Sequence, residues 1–437
     1  MPELSVLTLF CAAMLLLFLC LLLFYRFDIL EPAVLMTGTM ALSAFAAAMT
    51  QTRWNLMLTG PGFFGLAGGM LAFTAGSIFC SWRSGAISTE VARPSVPQQA
   101  RGGWQGWLIF TVLIVLMAIM AWQSYQEIYA ASVAFGNTKG VLGILSSVRP
   151  AIESQQFTFS RWMSYRQMAA QTIAFVAVYI FLRHAILGPW YRRDLLLLIT
   201  VPLYVPFMVF TTGRMAMMCF GIYILIIAAV LYERARGFHL RTNLRVLGAA
   251  VLFGMAVLGT FLLMGFLTGK GVGGDRTPFV ILSHYIGLSI PAFGQVAAQP
   301  LPEDGYLFSN TLLSPYRALA HIFPGLPKVD TFLPFIYFEG IDTNVYTCVW
   351  RYLLDFGGIG MCAFMAMLGG GYTLAYHYVK YRTGSAFVLM LYATLAYPLF
   401  LSSIDERFLV DLAGTTPIYE ALLLFIACRL LLRRKSS

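Results

Sequence analysis

The residues of this chain whose types and spacing could do chemistry are few, and most are cations. Arg351 and Asp355 stand four apart in NVYTCVWRYLLDFGGIG (344–360), so a helix puts both on one face. They neutralise each other there, which is the plain reading, or one of them serves a ligand. Arg214 lies in TTGRMAMM (211–218), a turn between two apolar runs with almost no loop. An arginine at such a place is costly without a partner. The partner is a headgroup, a carboxylate on a neighbouring helix, or an anion gripped by the planar guanidinium fork. Lys270 and Arg276 fall in GKGVGGDR (269–276). Its glycines either offer backbone N–H groups to phosphate oxygens or simply make a flexible connection. Arg407 belongs to IDERFLVD (404–411) with Asp405, Glu406 and Asp411, a set that reads mainly as capping and pairing groups.

Around these cations stand other groups. His284 and Tyr285 open HYIGLSIPAFGQ (284–295), where a solvated histidine is the plain reading. FEGIDTNVYT (338–347) holds Glu339, Asp342 and Asn344, and Asp342 or Thr343 is placed to cap the helix that carries Arg351. Trp350 and Tyr352 read as an aromatic belt at a membrane interface, and the glycines after Phe356 let a second backbone or a sugar come close. Several signatures are missing. There is no Walker A motif, GxSxG elbow or HExxH, and the five histidines form no pair at ligand spacing. Seven scattered cysteines contain no CxxC. No metal and no cofactor is expected.

The elements that must position these residues follow from composition. Of 437 residues, 59% are hydrophobic and 11% charged, and a soluble chain would carry roughly twice that charge. Apolar runs near the length of about 20 residues that a bilayer crossing requires recur throughout. They predict spans near 4–25, 32–50, 61–81, 105–123, 167–187, 194–212, 215–232, 246–268, 357–378, 385–403 and 415–432. The runs do not alternate, which excludes a strand barrel. The expected fold is therefore an all-α polytopic membrane protein, a bundle of about 11 transmembrane helices making one integral domain over 1–437. Seventeen of the 29 basic residues fall in short connections on the side of the C-terminus, which places that side in the cytoplasm. The net charge of +10 is read as headgroup contact, with no nucleic acid involved. Residues 83–103 read as a cytoplasmic linker, and 124–166 and 269–356 as loops on the far side. Within the larger loop, 278–295 is apolar yet interrupted, and is expected to lie in the interface or re-enter the bundle.

The Gly-Arg turn at 211–218, the Tyr-x-x-Gly…Phe element at 284–295 and the Asn-x-Tyr-Thr…Asp-Phe-Gly-x-x-Gly stretch at 344–360, in that order, resemble the bacterial O-antigen polymerases of the Wzy type. That resemblance implies an architecture similar to the C-type membrane glycosyltransferases, with a large periplasmic loop, in the bacterial inner membrane. It implies transfer of a growing glycan from undecaprenyl pyrophosphate to a new lipid-linked repeat unit at the periplasmic face. A polysaccharide chain-length regulator is an implied partner. On this reading Arg214, Arg276, Arg351 and Arg407 hold the departing diphosphate. Asp355, Glu339 or His284 serves as base, or Asp355 only aims Arg351. Tyr285, Trp350, Tyr352, Asp342 and Asn344 meet the sugars. A flippase for the same lipid-linked oligosaccharide and an O-antigen ligase are the alternatives. A flippase calls for charges deep in several spans, whereas here the charges are expected at the outer ends.

Overall fold

The computed structural model describes residues 5–83, 104–137, 140, 144–153, 156–188, 191–210, 215–267, 277–300, 308–323, 325–326, 329, 333–382 and 384–432. Arg214, Lys270, Arg276 and the linker from 84 to 103 lie outside them. In chain order the elements begin with Val6–Phe24 (α1), Pro32–Met49 (α2), Gln51–Trp54 (α3), Gly60–Arg83 (α4), Trp104–Ala134 (α5), Ile144–Glu153 (α6) and Arg161–Leu187 (α7). A 3-10 segment, Arg192–Ile199, leads into Thr200–Phe210 (α8), then Met215–Arg236 (α9) and Leu240–Leu267 (α10). Pro278–Gly287 (α11), Ser289–Ala297 (α12) and Leu313–Ile322 (α13) precede a small hairpin of Ile336–Phe338 (β1) and Ile341–Thr343 (β2). Val349–His377 (α14), Ala386–Leu395 (α15), Tyr397–Leu401 (α16), Leu409–Leu412 (α17) and Thr416–Leu431 (α18) complete the chain.

Among the described residues, ten helical stretches are long and apolar enough to cross a membrane, and Ala386–Leu401 is a shorter apolar one. The chain is an all-α, multi-pass membrane protein. Large apolar side chains such as Leu16, Leu23, Phe64 and Leu252 stay exposed along these helices, as a lipid-facing surface requires. Each of the eleven expected spans falls on helical structure. The additional long apolar stretch is Phe279–Ala297, the segment expected to be interfacial or re-entrant. It packs inside the bundle: α11 lies on α2 and α12 on α4. Thr59 Oγ1 donates to the Gly294 carbonyl (2.6 Å) and Ser43 Oγ to that of Ile286 (2.5 Å). Its later half thus stays level with the 50–62 end of α2 and α4. That end, where Glu339 of the hairpin meets Asn55, is called the upper end below.

Close backbone contact sets the centre of the bundle. A Cβ on Gly76 would land on the Ala366 carbonyl, and one on Gly369 on that of Phe73. Small residues let two helices approach this far, which is how helices associate where lipid removes the hydrophobic drive. Ser77 and Thr373 hydroxyls bond across the same seam (2.7 Å). Along the seam Gly69 meets Met365, Phe73 meets Gly369 and Ser77 meets Thr373, so the two helices run parallel. Gly76→Leu is expected to force them apart and cost about 3 kcal/mol or more. A lowered melting temperature in detergent is the readout, and an unchanged one would refute the packing.

Three helices are broken where the site lies. α11 passes to α12 at Leu288, α15 to α16 at Ala396, and α14 reverses at Gly357, whose φ of 62° suits glycine. Val349 and Met365 both touch one point of α4: their nearest atoms lie 2.7 and 3.8 Å from where a Cβ of Gly69 would stand. The chain therefore folds back on itself between them. Phe356 and Phe364 stack across the fold with centroids 4.2 Å apart, and Tyr352 stacks on Phe364 at 5.9 Å. Gly69 is nine residues into α4, so Val349 starts about 13 Å below the upper end of that helix. The 344–356 stretch, read from sequence as an approach to a span, dives into the bundle and climbs back.

Candidate functional site

Arg351 sits in the first turn of this short ascending arm. It is 5% exposed. Its Nη1 donates to the Asn310 carbonyl (3.3 Å), and among the described residues its Nε has no partner. Asp355, one turn on, does not bond Arg351, which corrects the expected i,i+4 pair. The physical reason is residues 310–311, which engage both. Asp355 accepts the Asn310 N–H (3.2 Å to each oxygen), the Asn310 side-chain amide (2.9 Å), the Thr311 N–H (2.8 Å) and the Thr311 hydroxyl (2.7 Å). A carboxylate with this many donors is committed to holding the segment before α13. Asp355→Ala is expected to free 308–312, at about 1.5–3 kcal/mol for the lost charge-assisted bonds. Faster proteolytic cleavage in that segment is the check.

The second cation reaches the site from the broken α15–α16 helix. Glu406 is fully buried and caps α17 by accepting the N–H groups of Leu409 (2.7 Å) and Val410 (3.0 Å), while Tyr352 OH donates to it at 2.6 Å. This fixes 405–411 as a compact turn. Arg407 lies 3.0 Å from Asp405 and 3.3 Å from Asp411. Burial pushes the Asp405 carboxyl up, and Arg407 and Arg351 pull it back down. Arg351 and Arg407 thus share one electrostatic neighbourhood with Asp405 between them. The expectation of capping and pairing groups at 404–411 describes this turn well, although it lies inside the bundle rather than in a surface connection.

The aromatic pair does not form an interfacial belt. Tyr352 is fully buried, and Trp350 is stacked on Tyr346 (5.9 Å) and edge-on to Phe293 (6.1 Å). Both follow the re-entrant arm inward, which a hydropathy reading places at the surface. Nor does Asp342 or Thr343 cap the helix. Its N-cap is Cys348, without a side-chain bond, and the Cys348 N–H donates to the Ser402 carbonyl (2.8 Å). Asp342 is exposed on β2 opposite Tyr337, and Asn344 is half-buried beyond it. Glu339 sits at the hairpin turn and accepts from Asn55 Nδ2 (3.1 Å). His284 stacks on Tyr285 (5.3 Å), whose ring meets Phe261 edge-on at 5.3 Å. Of the expected site residues, then, Arg351, Asp355, Arg407 and Tyr352 are brought together, while Glu339 and Asp342 lie on the hairpin.

Beside the Arg407–Asp411 pair opens a cavity of about 900 Å³ between α7, α9, α13, α15, α17 and α18. Met215, which follows Arg214 in the chain, lines it. It reaches down to Phe175, fourteen residues and so about 21 Å along α7. Of its lining residues only Asp411 was singled out from sequence, as a capping or pairing group.

Sequence reasoning also missed the largest charge cluster among the described residues, at the opposite end. Lys380 Nζ lies 2.6 Å from Asp28 and 3.0 Å from Glu233, and His377 Nε2 is 3.0 Å from Glu31. Tyr376 OH donates to Asp28 (2.9 Å). All six titratable groups are buried. Burial raises the Glu31 carboxyl, and its hydrogen bond with His377 opposes that. The expectation that charges keep to the outer ends is corrected here. Comparison with protein-family models, curated proteins and solved structures returns no match for this chain.

Proposed function

We propose that this chain polymerises undecaprenyl-pyrophosphate-linked oligosaccharide repeat units into O-antigen, with the upper end facing the periplasm of the bacterial inner membrane. One observation carries the reading: Arg351 is buried in the first turn of a helix, where desolvation and the helix dipole both disfavour a cation, and a single main-chain carbonyl is its hydrogen-bond partner among the described residues. A guanidinium held at such cost, with donors to spare, is suited to an arriving anion. The departing lipid diphosphate is such an anion. Arg351 would stabilise the charge that develops as the glycosidic bond breaks, with Arg407 beside it. Arg214 and Arg276 keep the same proposed role. The donor is already activated, so no nucleotide or redox cofactor is called for. Asp355 holds the 308–312 segment rather than taking a proton. A base must reach the attacking sugar hydroxyl to about 3 Å, and His284 and Glu339 stay as candidates for it.

Deleting the gene tests this reading. The expected product is lipid A core bearing one repeat unit. Complete absence of O-antigen would instead indicate a transporter or a ligase for the same lipid. The transporter is the second reading, and two observations favour it: helices interrupted inside the bundle, and the buried Lys380 cluster among several helix ends.

A further inference from the structure

The cavity beside Arg407 differs in chemistry from the arginine site. Its described lining includes two carboxylates, Asp411 and Glu420, and two amides, Gln167 and Gln171, and no lysine or arginine. Asp411 already bridges Arg407 and the Tyr397 hydroxyl (2.8 Å). Gln171 accepts from Tyr204 OH (3.3 Å) and hydrogen-bonds the Glu420 side chain. Two short polar chains therefore end in the cavity, each finishing on a carboxylate. Carboxylates accept only, and amides both donate and accept. That combination suits vicinal hydroxyls and repels a phosphate. Half-buried apolar lining such as Pro315, Leu412 and Pro417 supplies surface for the C–H face of a ring. The volume falls in the range of sites for sizeable ligands, about 300–1,000 Å³.

We infer that this cavity is a glycan subsite that takes the uncharged, hydroxyl-rich sugars of a lipid-linked oligosaccharide, leaving the diphosphate to the arginines beside it. The inference rests on the reading that the chain acts on lipid-linked glycans. Asp411 marks the border, since it faces the cavity and fixes Arg407 at once.

A native thiol, Cys219, lines the cavity and reports on its occupancy. The full-length protein in lipid nanodiscs is treated with N-ethylmaleimide, and modification of the Cys219 peptide is followed by mass spectrometry. Three conditions are compared: no lipid ligand, undecaprenyl pyrophosphate, and undecaprenyl pyrophosphate carrying one repeat unit. At about ten times its dissociation constant the sugar-bearing lipid should slow modification about tenfold, following the free-site fraction. The bare diphosphate should leave the rate unchanged. Gln171→Ala and, separately, Glu420→Gln should abolish the protection while eluting as the native protein does. Equal rates in all three conditions, equal protection by the bare lipid, or a Cys219 that never reacts would each overturn the inference. Sugar-specific protection in a protein that builds no polymer would keep the cavity and remove the polymerase reading. Polymerisation that stops in Arg351→Ala, with Cys219 unprotected, would do the reverse.

Discussion

Lys380→Met should leave little folded protein in the membrane. The ammonium group is fully buried, ion-pairs with Asp28 and Glu233, and lies over the rings of Phe238 (5.2 Å) and Tyr376 (5.3 Å). Its removal strands two carboxylates, Asp28 and Glu233, that are both buried. Breaking a buried pair in this way costs about 3–5 kcal/mol, against a total stability of about 5–15 kcal/mol for a typical domain. The cluster joins the α1–α2 connection, the end of α9 and the end of α14, so the loss would be felt across the lower half. Neutralising the orphaned partners should recover much of it: Lys380→Met with Asp28→Asn and Glu233→Gln is expected to melt well above the single variant. Melting curves and detergent elution profiles are the measurements. A single variant that melts within a degree or two of the native protein would show that the cluster is not a stability element.

The second large effect is on activity. Arg351→Ala should accumulate in the membrane at native levels, because it removes a costly buried cation with one hydrogen bond and leaves no strong partner exposed. Chain elongation should nonetheless fall by a factor on the order of 100 to 1,000, the usual result of deleting one donor to a developing charge. Arg351→Lys should restore little, since a point charge does not replace a bidentate fork. The readout is the O-antigen ladder on a gel, collapsed to core plus one unit. Native ladders from Arg351→Ala would end the proposal.

How much of this was legible beforehand differs by level. The helices were, because a bilayer demands long apolar runs and little else produces them. The breaks were not. Hydropathy averages over a window and does not register the reversal at Gly357, although the Phe-Gly-Gly sequence there permits it. Once the arm turns back, surface expectations for Trp350 and Tyr352 fail with it. The spacing rule for Arg351 and Asp355 assumes that only the helix supplies partners. Here Asn310, 41 positions away from Arg351, intervenes. The Lys380 cluster was hidden for a related reason. Asp28 and Lys380 are 352 positions apart, and each alone looks like an ordinary charge at a helix end.

The glycine seam between α4 and α14 bears on how the molecule could work as a machine. Two rods whose main chains interlock tooth into notch cannot slide, so they form the stator of the assembly. Any opening that admits a bulky glycolipid must be made by the parts across the cavity, where α13, α17 and α18 meet through short turns. Motion sensors placed on α18 should report a cycle, and sensors on α4 should stay still.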